Sequence, residues 1–174
     1  ILTGASPFTG TMTISAGTLQ IGAGGAAGSL ASTSIINNGT LVFNETGTLT
    51  DAATISGSGV LTQMGAGTTV LTAANSYNGN TLIKAGTLKL SGSAANSDAT
   101  VSGGATLNFD SSTAGVAGTT RVKSLALSGG NLTVTGNTNG TGNVNSVDTV
   151  ANALSIGMGI STVTLSGGTA TNWQ

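Results

Sequence analysis

Acid–base chemistry in this chain has few groups to work with. Its 174 residues include four Lys or Arg, five Asp or Glu, and neither His nor Cys. The acids are Glu45, Asp51, Asp98, Asp110 and Asp148, and the cations are Lys84, Lys89, Arg121 and Lys123. Only Asp98, Asp110, Arg121 and Lys123 form a grouping dense enough to consider. Carboxylates or an Arg/Lys base aligned on one face would suit a polysaccharide lyase or hydrolase. The plainer reading is that they are solvated loop and face charges that keep the surface soluble, so no catalytic residue is assigned. Lacking Cys and His, the chain has no disulfide, thiol nucleophile, histidine base or zinc site of the usual kinds.

Other patterns point to ligands only formally. Gly22-Ala23-Gly24-Gly25-Ala26-Ala27 matches a dinucleotide fingerprint. That site needs a helix to present its amide groups, whereas Gly28 to Thr33 is rich in Ser and Thr and leads into a strand. The Gly-Gly-x-Gly-x-Asp repeat of calcium-binding β-rolls is absent, and the Asn residues from Asn131 to Asn145 read as corner formers. Neither a cofactor nor a metal is therefore expected. Sequons at Asn38, Asn44, Asn131 and Asn139 are those that a chain rich in Asn and Thr makes by chance. Thr-x-Thr pairs at Thr11, Thr48, Thr133 and Thr162 suggest an ordered Thr face of the ice-binding kind, but they do not recur once per coil. Phe8, Phe43, Tyr77, Phe109 and Trp173 read as core stacks or rung caps.

The elements that position these residues are short strands. GTLQI (17–21), GTLVF (39–43), GVLTQ (59–63), GTLKL (86–90), ATLNF (105–109), SLALS (124–128), NLTVT (131–135) and TVTLS (162–166) each alternate small or polar with aliphatic residues. Period-two alternation bounded by Gly, Asn and Ser is a strand signal. Leu19, Leu41 and Leu61 are separated by 22 and 20 residues, and Leu88 and Leu107 by 19. Residues 1–22 overlay residues 70–91 without a gap, with Leu2/Leu71, Ile14/Ile83 and Leu19/Leu88 among nine identities. Recurrence of this kind marks a solenoid, whose units bury their apolar faces by stacking. Asn38-Gly39, Asn78-Gly79 and Asn139-Gly140 would serve hairpins elsewhere and here serve corners. Val144 to Ile156 has the spacing of a short helix capped by Asp148 but is read as a rung. Asp110 to Thr120 is expected to leave the solenoid as a loop. The fold class is all-β, a parallel β-helix of about eight rungs of roughly 20 residues, and residues 1–174 form one segment excised from a longer repeat protein.

Residues 57–91 resemble the autotransporter-associated β-strand repeat of bacterial type V secreted proteins. The resemblance is carried by Gly57-Ser58-Gly59 with Leu61, Gly65-Ala66-Gly67 with Leu71, Asn75-Ser76-Tyr77-Asn78-Gly79, and Ala85-Gly86-Thr87-Leu88. Residues 1–22 carry the same element from its middle onward. The resemblance implies a right-handed β-helix exposed on, or shed from, a Gram-negative type of cell surface, and it assigns no catalytic residues.

Mean hydropathy of +0.30 with 5% charged residues indicates a chain that folds. A net charge of −1 argues against nucleic acid and anionic membranes as partners, and no apolar run is long enough to insert in a membrane. The expected function is a non-enzymatic stalk in adhesion or extracellular matrix, with an end-to-end filament as the alternative. Its expected partners are flanking repeats of the same protein, a second copy of itself, and a host or matrix surface. Candidate interaction positions are Asp110, Arg121, Lys123, Asn137, Asn139 and Asn143, at the two segments most able to protrude.

Overall fold

The computed structural model describes residues 1–26, 28–110, 120–135, 149–156 and 162–166, in which every regular element is a strand. In chain order these are β1 (Ala5–Ser6), β2 (Thr11–Ile14), β3 (Thr18–Gly25), β4 (Ser29–Leu30), β5 (Ser34–Asn37), β6 (Thr40–Glu45), β7 (Thr48–Asp51), β8 (Thr54–Ser56), β9 (Val60–Gln63), β10 (Thr68–Leu71), β11 (Thr81–Ile83), β12 (Thr87–Leu90), β13 (Ala94–Ser102), β14 (Thr106–Asp110), β15 (Thr120–Ser128), β16 (Asn131–Thr135), β17 (Thr149–Ile156) and β18 (Thr162–Ser166). One seven-stranded sheet stacks β3, β6, β9, β11, β13, β15 and β17, and a six-stranded sheet stacks β7, β10, β12, β14, β16 and β18. The third face holds β2, β5 and β8, and β1 pairs with β4. Every strand pairing is parallel, and Ser102 with Gly129 makes the one antiparallel bridge among the described residues. The chain is thus a β-solenoid.

Period-two alternation fixes what faces inward. Ile21, Ile35, Leu41, Phe43, Ile55, Leu61, Leu71, Ile83 and Leu88 are at most 1% exposed, and burying each such side chain contributes about 1.5 to 3 kcal/mol. The register stacks Leu19, Leu41 and Leu61 in one column, which continues through Thr81, Ala99, Leu125 and Leu154. Leu88 and Leu107 belong to a different column, with Leu49 and Thr69 on one side and Leu132 and Val163 on the other. The step along the first column is 18 to 22 residues as far as Ala99, then 26 and 29. These longer late coils explain why the longest sheet has seven strands rather than the eight rungs expected.

Two of the corners require glycine. A Cβ on Gly39 would lie within 3.0 Å of the Gly17 carbonyl oxygen, one on Gly59 would meet Gly39 in the same way, and one on Gly79 would meet Gly59. Gly47, Gly67 and Gly86 form a second column with the same relation at the corner before β7, β10 and β12. Side chains at these corners would hold neighbouring coils farther apart than the strand spacing of about 4.8 Å allows. Gly39 and Gly79 belong to the Asn-Gly pairs expected at corners; Gly39 directly precedes β6, and Gly79 stands two residues before β11.

The two copies of the sequence repeat sit on different faces. Thr11–Ile14 lies in the three-stranded sheet, whereas its counterpart Thr81–Ile83 lies in the seven-stranded one; Thr18–Gly25 and Thr87–Leu90 are displaced by one face in the same direction. The physical reason is that the offset of 69 residues between Leu2 and Leu71 is about three coils and one further face. Each face needs only a Gly-led corner and an alternating strand, so one motif serves any of them.

Val144 to Ile156 resolves in favour of the rung: residues 149–156 form β17, and 144–148 lie outside the described residues. Asp110 ends β14 and Thr120 begins β15, so the loop expected between them falls on 111–119, also outside the described residues.

Candidate functional site

The acid–base grouping separates into two ion pairs on different ladders. On the outer surface of the junction between β13 and β15, Lys123 Nζ lies 2.8 Å from Asp98 Oδ2, and Ser124 Oγ donates to Asp98 Oδ1. Both charged side chains are nearly half exposed. The Lys123 bond, helped by Ser124, holds the Asp98 carboxyl below its ordinary value. Such a group is a weak proton acceptor and makes a poor general base.

The second pair is enclosed. Asp110 Oδ2 lies 2.7 Å from Lys89 Nζ and accepts from Ser91 Oγ at 3.1 Å. Arg121 is fully buried, donating from Nη1 to the Ser91 carbonyl at 3.0 Å and to that of Gly92, and from Nη2 to the Asp110 carbonyl at 3.2 Å. Arg121 and Asp110 are therefore not the solvated charges expected. The planar guanidinium satisfies carbonyls of the corner after β12 and of the end of β14, which would otherwise be buried without donors. Of the positions proposed for interaction, Lys123 is exposed, Asp110 and Arg121 are interior, and Asn137, Asn139 and Asn143 lie outside the described residues.

Hydroxyls make a third cluster. Tyr77 Oη and Thr81 Oγ1 are 2.7 Å apart, Thr81 Oγ1 and Ser97 Oγ are 2.7 Å apart, and Ser97 donates to the Gly79 carbonyl. Burial pushes the Tyr77 phenol up to about 12, against the lowering effect of the Thr81 and Ser97 bonds. With no carboxylate or imidazole in the chain of contacts, this cluster holds the corner after Tyr77 in place rather than moving protons. Phe43, Tyr77 and Phe109 pack in the core as expected, while Phe8 is exposed. The outward column Thr50, Val70, Lys89, Asn108, Thr133 and Thr164 interrupts any ordered Thr face.

Gly22 to Gly25 lie within β3, where the register shifts between Ile21 and Gly25, and no helix starts there, so the formal phosphate fingerprint falls on an irregular strand end instead of the small-residue corner expected. Among the described residues, no three acidic groups gather to hold a metal, and no helix is long and apolar enough to cross a membrane.

Residues 1–21 and 61–90 match the family model described as Passenger-associated-transport-repeat. Two stretches of this chain are thus similar to autotransporter passenger repeats. Over 55 residues the chain is 56% identical to the adhesin BmaC autotransporter of Brucella suis biovar 1 (strain 1330). That stretch is 32% of this chain and only 2% of the adhesin, so the chain corresponds to a small part of its relative. No solved structure matches the chain. The matched stretches contain the Gly67–Gly86 contact, Gly79 but not its partner Gly59, and the hydroxyl cluster as far as Thr81, whereas both ion pairs draw residues from outside them.

Replacing Arg121 with Met leaves buried carbonyls without donors and is expected to cost about 3 kcal/mol or more. Lys123→Met breaks only an exposed pair and is expected to cost less than about 1 kcal/mol. Urea unfolding of the two variants measures the contrast.

A pH dependence follows from Asp51, which is 4% exposed; its Oδ1 accepts from the Ala53 amide at 2.9 Å, and its Oδ2 is enclosed without a partner. Burial raises its pKa above 3.8, and the Ala53 bond offsets part of that. A carboxyl raised in the fold supports folding below its unfolded pKa and opposes it as pH climbs through the folded value. Asp51→Asn keeps an acceptor for Ala53 and cannot ionise. Its stability relative to wild type should therefore be greater at pH 7 than at pH 3.5 in denaturant titrations, and an unchanged difference would contradict the assignment.

Proposed function

We propose that the chain is a structural, non-enzymatic segment of a surface-exposed or secreted passenger, a stiff rod that carries another part of the protein outward in adhesion or matrix building. The observation that supports this most is the placement of both passenger repeats within one continuous parallel stack, on two different faces. A motif that fits any face suits a rod of adjustable length and serves no fixed pocket. The ion pairs agree with that reading: they neutralise one another on separate ladders instead of lining a cleft. Its seven-stranded sheet gives a rod roughly 30 Å long, extended on either side by coils of the same protein.

The relative's designation as an adhesin directs the test to cell attachment. Antibodies raised against this segment are expected to label intact cells that make the parent protein. Deleting three coils from the parent should leave display and attachment in place while bringing the distal part closer to the cell. Labelling only after permeabilisation would contradict the surface reading. Attachment lost while display persists would contradict a purely mechanical role and place the adhesive surface within these coils.

A further inference from the structure

The first coils of the rod are almost free of charge. Across residues 1–83 the only acidic or basic side chains, apart from the Tyr77 phenol, are Glu45 and Asp51. They stand on either side of one strand: Glu45 ends β6 just before β7, and Asp51 is the last residue of β7. Both are enclosed, at 3% and 4% exposed. Glu45 Oε1 packs against Gly22 and Gly28, where a Cβ on either glycine would fall within 3.0 Å of it, and it has no hydrogen-bond partner. Asp51 Oδ1 accepts from the Ala53 amide, while Oδ2 has no partner.

The strand between them is also where the ladder is broken. β7 is the last strand of its sheet, and among the described residues no backbone hydrogen bond joins it to β4 in the coil before. A cavity of about 290 Å³, with Ala5, Ser29, Thr48 and Leu49 in its lining, lies at this gap. The two coils are held together through the other walls, by β3 with β6 and by β2 with β5.

No element packed against either carboxyl supplies a counter-charge. β1 to β11 contain no other acidic or basic side chain save Tyr77 in the corner before β11. Lys84 follows β11, two coils beyond Glu45, and Lys89 and Lys123 are paired with Asp110 and Asp98. Burial therefore favours the neutral form and raises both carboxyls above their ordinary values, with the Ala53 bond offsetting part of the rise at Asp51. Such a group supports the fold below its unfolded pKa and opposes it as pH climbs through its folded value. Each coil of a solenoid contacts only its neighbours, so an opening confined to the unlatched joint hydrates both carboxylates while the later coils stay folded.

We propose that the joint between the coil of β4 and the coil of β7 is a pH-responsive hinge, closed when Glu45 and Asp51 are protonated and loosened when they ionise. The hinge depends on the broken ladder and the two enclosed acids, and not on the passenger role.

Hydrogen exchange of the whole chain, read by mass spectrometry at pH 4.5 and pH 7.5 and corrected for the intrinsic pH dependence of exchange, tests it. Protection of residues 28–56 is expected to be several-fold lower at pH 7.5, whereas residues 81–109 keep theirs. Combining Glu45→Gln with Asp51→Asn should remove the difference. Should the double variant fail to fold, each single substitution should remove part of it. Wild-type protection over 28–56 that does not change with pH overturns the hinge. So does a change shared equally by 81–109, or a pH difference that persists undiminished in the folded variants.

Discussion

The structure depends on how closely one coil can approach the next at its corners. Parallel strands bond at about 4.8 Å, and a corner that cannot close to that distance pries apart the strands on both sides of it. Gly17, Gly39, Gly59 and Gly79 stack before one ladder and Gly47, Gly67 and Gly86 before another, each after the first of its column with the preceding glycine's carbonyl oxygen where a Cβ would be. Once the corners close, the alternation of the strands places Leu41, Leu61 and their column neighbours in a core only two or three side chains wide. A chain with 3% aromatic residues can fill such a core, because the backbone ladders carry much of the organisation that large rings provide in globular domains.

Where the glycine columns lapse, other devices take over. No glycine pair of this kind joins the coil of β14 to that of β15, and there the buried Arg121 guanidinium ties the corner after β12 to the end of β14. At the corner after Tyr77, three hydroxyls and the Gly79 carbonyl do the same in neutral form. Asn75 substitutes for backbone directly, accepting from the Ile55 amide through its side-chain oxygen at 2.8 Å and donating to the Ala73 carbonyl at 3.0 Å. Between β4 and β7 none of these devices is present among the described residues, and the wall opens beside Glu45. The coil is thus fastened at intervals by different chemistry, while strand alternation runs through all of it.

Much of this was legible in the sequence because a strand's alternation survives whatever its surroundings. The eight five-residue runs read as strands all lie on strands of the structure, and the Leu19–Leu41–Leu61 spacing is one coil. Leu88 and Leu107 were correctly read as one coil apart, but nothing in the spacing places them on another face. Burial of charge was not legible. Arg121 and Asp110 flank a segment rich in turn formers, which makes them look like loop residues; their interior position depends on where Ser91 and Gly92 lie, one coil earlier in space and about thirty residues earlier in sequence. Glu45 was likewise only a member of a sparse charge inventory. Its enclosure arises from Gly22 in β3 and Gly28 just before β4, neither of which its own sequence neighbourhood reveals. Alternation does place Gln63 inward in GVLTQ, and that polar core position, bonded to the Gly65 carbonyl at 2.9 Å, was available from the pattern.

The most direct test of this account is the unfolding free energy of Gly59→Ala set beside that of Gly4→Ala. Gly59 faces the Gly39 carbonyl across the coil spacing, while Gly4 has open space where a Cβ would go, and neither substitution changes charge. The account predicts a loss of about 1 to 3 kcal/mol at Gly59, as for overpacking an interior, and a change within about 0.5 kcal/mol at Gly4. Equal, small effects at both positions would show that the coils have slack at their corners and would contradict the claim that glycine contact sets their spacing.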